Sequence, residues 1–322
     1  MTRADPNDAL GRHDAAAPEM QPGPVSLARR RPLTVFLLLA LGLGWTFLVI
    51  PAVSGLPLEP FLLGLVFVAL LGSSLLVTRW VDGPGAVRRL LARTLLWRFG
   101  AGRWAVLLGG VPALTVALAA ATGTLGSPGR GWPATVAWAL FDTLVFGALV
   151  LNLWEETAWG GFAQSRLTAR HGLLVGALLT ALPFAAIHVP LHFGAGWTWP
   201  EAGVGLAVLV GMAPIYRYLL GMHLLDTGGS ILAIAVQHAS WNTAARLDGI
   251  RGEWQPIVAV VVLTVLVALH RRLRRPESRP QEREAEKAAA AEWTAPAHRP
   301  GASAQGPPRP DSGHPPLNRG TH

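Results

Sequence analysis

The stretch that decides the fold is Leu151-Asn-Leu-Trp-Glu155-Glu156-Thr-Ala-Trp-Gly160-Gly-Phe162. It sets two carboxylates in a run otherwise apolar enough to lie within a membrane. Hydrocarbon penalises such groups. An Asp or a basic residue at a helix centre costs roughly 2.5–3.5 kcal/mol on insertion scales, whereas each Leu returns only about 0.3–0.6 kcal/mol. Two central glutamates therefore offset roughly ten leucines, and residues that costly are expected to face a wet, protein-lined cavity. His188, His238 and Asn242 are embedded in apolar runs in the same way.

The chain as a whole agrees with a membrane setting. Of its 322 residues, 51% are hydrophobic and only 14% charged, with a mean hydropathy of +0.37, values that suit a polytopic membrane protein better than a soluble globule. Eight apolar runs stand near the length of about 20 residues that a bilayer requires: 33–54, 57–78, 104–122, 134–154, 172–193, 202–222, 229–246 and 255–270. The expected fold is all-α, a polytopic membrane helical bundle with about eight transmembrane helices.

The net charge of +8 is gathered at Arg29–Arg31, Arg88–Arg103 and Arg271–Arg275, always beside an apolar run. Basic flanks of this kind are the ordinary topology signal, so no nucleic-acid partner is expected; the lipid bilayer is. They predict a multi-pass protein of the cell membrane with both termini cytoplasmic. Residues 1–28 and 276–322 are rich in Pro, Gly and polar groups and are expected to be disordered tails around a transmembrane domain at 29–275. The chain contains no cysteine, which excludes disulfides and thiolate metal sites.

Two placements of the fourth span fit the sequence. It ends before Glu155 and leaves the glutamates at the interface, or it continues through Trp159 and Phe162 to Arg166 and buries them. The apolar, small-residue segment Thr157–Gln164 favours the second. Pro183 and Pro214 are expected to kink or interrupt their helices. His238 and Asn242, four residues apart, share one helix face. Glu155 and Glu156 point about 100° apart and so take different roles: one can activate a water while the other holds a neighbouring group. A carboxylate beside two imidazoles suits general-base attack of water on an amide, with a metal ion or the imidazoles and amide stabilising the oxyanion. Counted from the cytoplasmic side at 1.5 Å per residue, His238 lies roughly 13 Å into its run and His188 roughly 24 Å. They meet only if helices are offset, tilted or broken near Pro183.

Glu155-Glu156 with Trp159-Gly160-Gly161-Phe162, then Phe184-Ala-Ala-Ile-His188, then His238-Ala-Ser-Trp-Asn242, resemble the three motifs of the CPBP intramembrane proteases. That family includes the type II CAAX prenyl proteases and Abi-like bacterial relatives, some linked to bacteriocin self-immunity. Its pattern is Glu-Glu-x-x-x-Arg, Phe-x-x-x-His and His-x-x-x-Asn/Asp, matched over a protease-like core at about 130–246. The resemblance implies a membrane endopeptidase acting on a membrane-associated peptide or protein, with Glu155 as general base, Glu156 in support, and His188, His238 and Asn242 completing the site. A Zn2+ ion on Glu155, His188 and His238, with one open position, and a metal-free activated water both fit these residues. One position departs from the pattern: Gly160 stands where the family has Arg, with Arg166 or Arg170 as candidate substitutes. The departure keeps open a catalytically weak member acting in self-immunity or as a scaffold. Buried Glu and His also serve ion-coupled transporters, although no internal repeat of broken helices accompanies them here.

Overall fold

The computed structural model describes residues 24–193 and 197–274. Apolar runs become helices because a helix satisfies every interior backbone group within the segment, the condition for lying in lipid. In chain order these are α1 (Pro24–Arg30), α2 (Pro32–Ser54), α3 (Glu59–Asp82), α4 (Pro84–Ala92), α5 (Ala101–Ala121), α6 (132–171), α7 (173–193), α8 (Trp199–Asp226), α9 (Ile231–Ala244) and α10 (Trp254–Leu273). The tail expected at 1–28 ends earlier than expected, since the chain is helical from Pro24 and Ala28 is fully buried. Residues 1–23 and the tail expected at 276–322 lie outside the described residues.

Six helices among the described residues are long and apolar enough to cross a membrane, where hydropathy gave eight. Two features account for the difference. The runs at 134–154 and 172–193 fall in the stretch Trp132–Phe193, which counts once although non-helical backbone at Gly172 divides it into two arms. The run at 229–246 forms a helix of only 14 residues, about 21 Å long and shorter than the hydrocarbon layer. Its start is fixed by Ser230, whose hydroxyl accepts from the Ala233 N–H, after the Gly228-Gly229 turn. Pro183 and Pro214 lie inside continuous helix. The break falls instead at Gly172, with φ 77° and ψ 169°, a conformation open essentially to glycine alone.

That break makes α6 and α7 a hairpin, and the hairpin sets the depth of the site. Glu155 stands seventeen residues before Gly172 and His188 sixteen after it, so the two arms bring them to one level. Arg93, just past α4, fixes the hairpin against α9. Its guanidinium donates to the carbonyls of Gly229 (2.9 Å) and Gly161 (3.0 Å) and to Ser165 Oγ (3.2 Å). Burial, and to a smaller extent the Arg166 charge, lower the Arg93 pKa to about 10, so it remains a cation at neutral pH. Ser165 and Gly229 thus share a level. Glu156 lies nine residues before the first and His238 nine after the second. The hairpin tip projects about 10 Å beyond the start of α9. Offset helices, with no break at Pro183, reconcile the unequal depths counted along the chain.

Two apolar cores flank the seam. One joins α1, α2 and α3 to Trp159, Phe162, Phe184 and Ile187 of the hairpin. The other joins α5, α8, α9 and α10 through Val111, Tyr216, Leu220, Ile234 and Val260. Large apolar side chains such as Leu38, Val53, Leu149, Leu182, Val210 and Leu266 remain exposed around the outside, a surface that only a bilayer covers without aggregation. The chain is a multi-pass membrane protein. Substituting Gly172→Ala adds no steric contact, so its cost is backbone strain alone. We expect a loss of about 1–3 kcal/mol, read as a lower Tm in detergent; an unchanged Tm would show that the hairpin does not depend on this turn.

Candidate active site

The site forms where the hairpin meets α8 and α9. Wide helical turns at Asp142–Asn152 and Thr157–Gln164 bracket a short α-helical piece, Leu153–Glu156, and turns of this kind are frequent at functional positions. The fourth run therefore continues past the glutamates, and every residue from Glu155 to Gln164 is buried.

The two glutamates occupy different environments. Glu156 is fully buried. Both of its oxygens accept from Arg217 Nη1, at 2.8 and 2.9 Å, and Oε1 also accepts from His238 Nδ1 at 2.9 Å. Arg217, on α8, is equally buried, and its Nε donates to Gln164 Oε1 at 2.9 Å. The Gln164 amide returns a bond to the Arg217 carbonyl at 2.7 Å. Glu155 keeps 9% exposure; Oε2 accepts from Asn152 Nδ2 at 3.3 Å, and Oε1 lies 3.8 Å from His188 Nε2. Asn242 is exposed, and its amide N–H reaches Asn152 Oδ1 at 3.4 Å.

The histidines are oriented by their second nitrogens. The Phe184 carbonyl can only accept, so His188 Nδ1, 2.6 Å away, carries a proton and Nε2 faces Glu155. The same reasoning gives His238 a protonated Nδ1 against the Glu156 carboxylate. The Phe184 ring lies near both, with centroids 4.7 Å from His188 and 6.1 Å from His238. All five residues expected from the sequence, Glu155, Glu156, His188, His238 and Asn242, thus converge through contacts with one another or with Asn152 and Phe184. His192 does not join them and packs at Gly205 of α8.

The set expected for Zn2+ does not fit a metal. Among the described residues no three His, Asp or Glu side chains group closely enough to hold one. His238 has one nitrogen committed to Glu156, and His188 has one committed to the Phe184 carbonyl. No step is derived through a metal ion.

Arg217, Gln164 and Asn152 were missed by sequence reasoning. A signal existed for the first: Arg217 is the only charged residue between Ala202 and Asp226, and a lone intramembrane cation marks a buried partner. Neither expected substitute reaches the glutamates. Arg166 pairs with Asp82 and stacks on the Phe162 ring at 3.9 Å, and Arg170 is exposed near the hairpin tip. Gly160 has a steric reason. A Cβ there would stand 2.2 Å from Ile234 Cδ1 and 3.0 Å from Glu156 Oε2. A side chain there would require Ile234 to shift, and the cation arrives instead from α8.

A multi-pass helical protein with a buried acid–imidazole–amide cluster is the class that this geometry defines. Residues 133–244, about a third of the chain, match the family described as Type II CAAX prenyl endopeptidase Rce1-like, and this stretch is a domain of that family. No curated protein matches the chain.

Removing one partner of a buried ion pair leaves an uncompensated charge, at a cost of about 3–5 kcal/mol. Arg217→Gln should therefore lower the Tm sharply, and Arg217→Gln with Glu156→Gln should recover most of the loss. A double variant no more stable than Arg217→Gln alone would mean that the pair is not coupled.

Proposed function

We propose that the chain is an intramembrane endopeptidase that hydrolyses a peptide bond of a membrane-associated protein or peptide, with Glu155 as general base. The observation that carries this reading is the asymmetry of the glutamate pair. Glu156 has both oxygens engaged by Arg217 and His238, whereas Glu155 faces His188 across 3.8 Å. That gap is too long for a direct hydrogen bond and suits one bridging water.

In the proposed reaction Glu155 takes a proton from this water as its oxygen attacks the scissile carbonyl, with His188 Nε2 orienting it. Negative charge develops on the carbonyl oxygen. His238 donates to that oxygen from Nε2, its positive charge supported by Glu156, and the Asn242 amide donates beside it. Glu155 then returns its proton to the departing amine as the C–N bond breaks. Arg217 keeps Glu156 ionised, so the Gly160 departure does not deprive the acid pair of its cation. The arginine clusters support a topology with the hairpin tip and both termini on the cytoplasmic side.

Glu155→Gln should reduce turnover of a membrane peptide library in proteoliposomes by about 10²–10⁴-fold while leaving the Tm close to wild type, since Glu155 pairs only weakly. Glu156→Gln should lose both activity and stability. Cleavage that survives both Glu155→Gln and His238→Ala would end the assignment of the reaction to these residues.

A further inference from the structure

Residues 83–103 join α3 to α5 at the end of the bundle that carries the hairpin tip, and they hold five arginines and no acidic residue. Within them α4 turns Ala86 and Leu90 inward and Arg88 and Arg89 outward. The inward side is secured, since Leu90 joins a small core with Leu153, Ile231 and Ala235. After one tight turn at Arg93–Leu95, the backbone is non-helical as far as Gly100. It is nonetheless pinned. Arg93 ties it to the hairpin and α9 as described above. The Leu96 carbonyl accepts from Ser230 Oγ at the start of α9, and the Trp97 carbonyl accepts from Trp104 Nε1 at 3.1 Å. Held in this way, Leu95, Leu96 and Trp97 remain 74%, 41% and 56% exposed.

The backbone fixes the level of this loop. Main chain without helical pairing does not face lipid within the hydrocarbon, so residues 96–99 lie at the membrane boundary. Large apolar side chains on a pinned backbone at that level are favoured by leaving water for the zone between headgroups and acyl chains, where Trp characteristically sits. Charge fixes the partner. Among the described residues, the only acidic side chains at this end of the bundle are Asp82 and Asp226, and they are paired with Arg166 and Arg271. Arg88, Arg89 and Arg98 are exposed and form no ion pair among the described residues. At the opposite end Glu59, Glu201, Asp248 and Glu253 offset the arginines. The Arg98 guanidinium lies 5.1 Å from the centre of the Trp97 ring, which sets a cation and an apolar anchor side by side. An acidic soluble partner would complement the arginines but leave Leu95 and Trp97 in place of a membrane contact; an anionic bilayer surface satisfies both.

We propose that residues 84–98 form an in-plane contact for anionic phospholipid, with Leu95 and Trp97 inserted at the boundary and Arg88, Arg89 and Arg98 on the headgroup phosphates. This contact does not depend on the protease reading.

The chain contains no cysteine, so Leu95→Cys gives a unique attachment point for an environment-sensitive fluorophore in the full chain reconstituted into bilayers. Lipids brominated on the acyl carbons nearest the glycerol should quench it; quenching by aqueous iodide alone overturns the insertion. Thermal unfolding in detergent tests the headgroup. Phosphatidylglycerol should raise the Tm by about 5 °C and phosphatidylcholine far less, with the difference shrinking as salt is raised. Arg88→Gln, Arg89→Gln and Arg98→Gln together should lose most of this increment, whereas Arg272→Gln with Arg274→Gln, at the end of α10, should keep it. Equal shifts with the two lipids overturn the proposal, and so does an equal loss in the two sets of variants, which assigns the effect to net charge alone. Without lipid the triple variant should unfold at the wild-type Tm; a lower value would mean that these arginines serve the fold and would overturn their assignment to lipid.

Discussion

The buried pair of Glu156 and Arg217 is the constraint on which the rest of this structure depends. Both side chains are fully buried, and two charges taken out of water repay their desolvation only when geometry is good and the remaining donors and acceptors are filled. Here they are filled from three directions: His238 on α9, Gln164 on α6 and Arg217 Nη1 from α8, which both Glu156 oxygens share. Three helices are thereby held in one relative placement. The cost of misplacing any of them is an unpaired charge in a nearly dry interior, a stronger discriminator between packings than non-directional apolar contact. Gly160 follows from the same constraint, since a side chain there would meet Ile234 and the Glu156 carboxylate.

Adjacent carboxylates on one helix cannot share an environment, and the fold exploits this. A rotation of about 100° per residue turns Glu156 into the three-helix junction and Glu155 toward the edge, where Asn152, His188 and the exposed Asn242 surround it at longer range. A carboxylate held at both oxygens by a guanidinium and at one by an imidazole is a poor base. One with a weak amide contact and an imidazole beyond hydrogen-bond reach has room for the water it would deprotonate. In the proposed reaction the closed member fixes His238 so that the open member acts on a defined geometry, the arrangement that preorganised catalysis requires.

Much of this was legible in the sequence, for a stateable reason. Hydrocarbon penalises polar side chains so heavily that Glu155, Glu156, His188 and His238 stand out from their runs before any helix is placed. The helical class follows from the same runs. What sequence did not yield depends on distance along the chain and on relative helix position. Arg217 is 61 residues from Glu156, and no local spacing connects them; only the oddity of a lone cation in an apolar run pointed to it, and the motif directed attention to Arg166 and Arg170 instead. Hydropathy counts apolar length, so it could not anticipate that 229–246 would yield a helix of 14 residues. Nor could it distinguish the prolines, which the helices absorb, from Gly172, which turns the chain.

The seam between α6 and α9 links these observations. Gly147 lets the two helices approach so closely that a Cβ on it would stand 2.6 Å from that of Ala239. Polar side chains recur along the contact. Thr143 donates to Thr243 at 2.8 Å and Thr243 to Asp142 at 3.2 Å; then come Asn152 with Asn242, and Glu156 with His238. Elsewhere the helices turn Leu, Val and Trp outward. A row of hydrogen-bonding groups between closely packed helices cannot slide without unpairing several of them in a medium that offers no replacement. The seam is thus a polar line through the described residues that its hydrogen bonds hold in register. The reaction proposed above draws its water where this row opens, at Glu155 and Asn242.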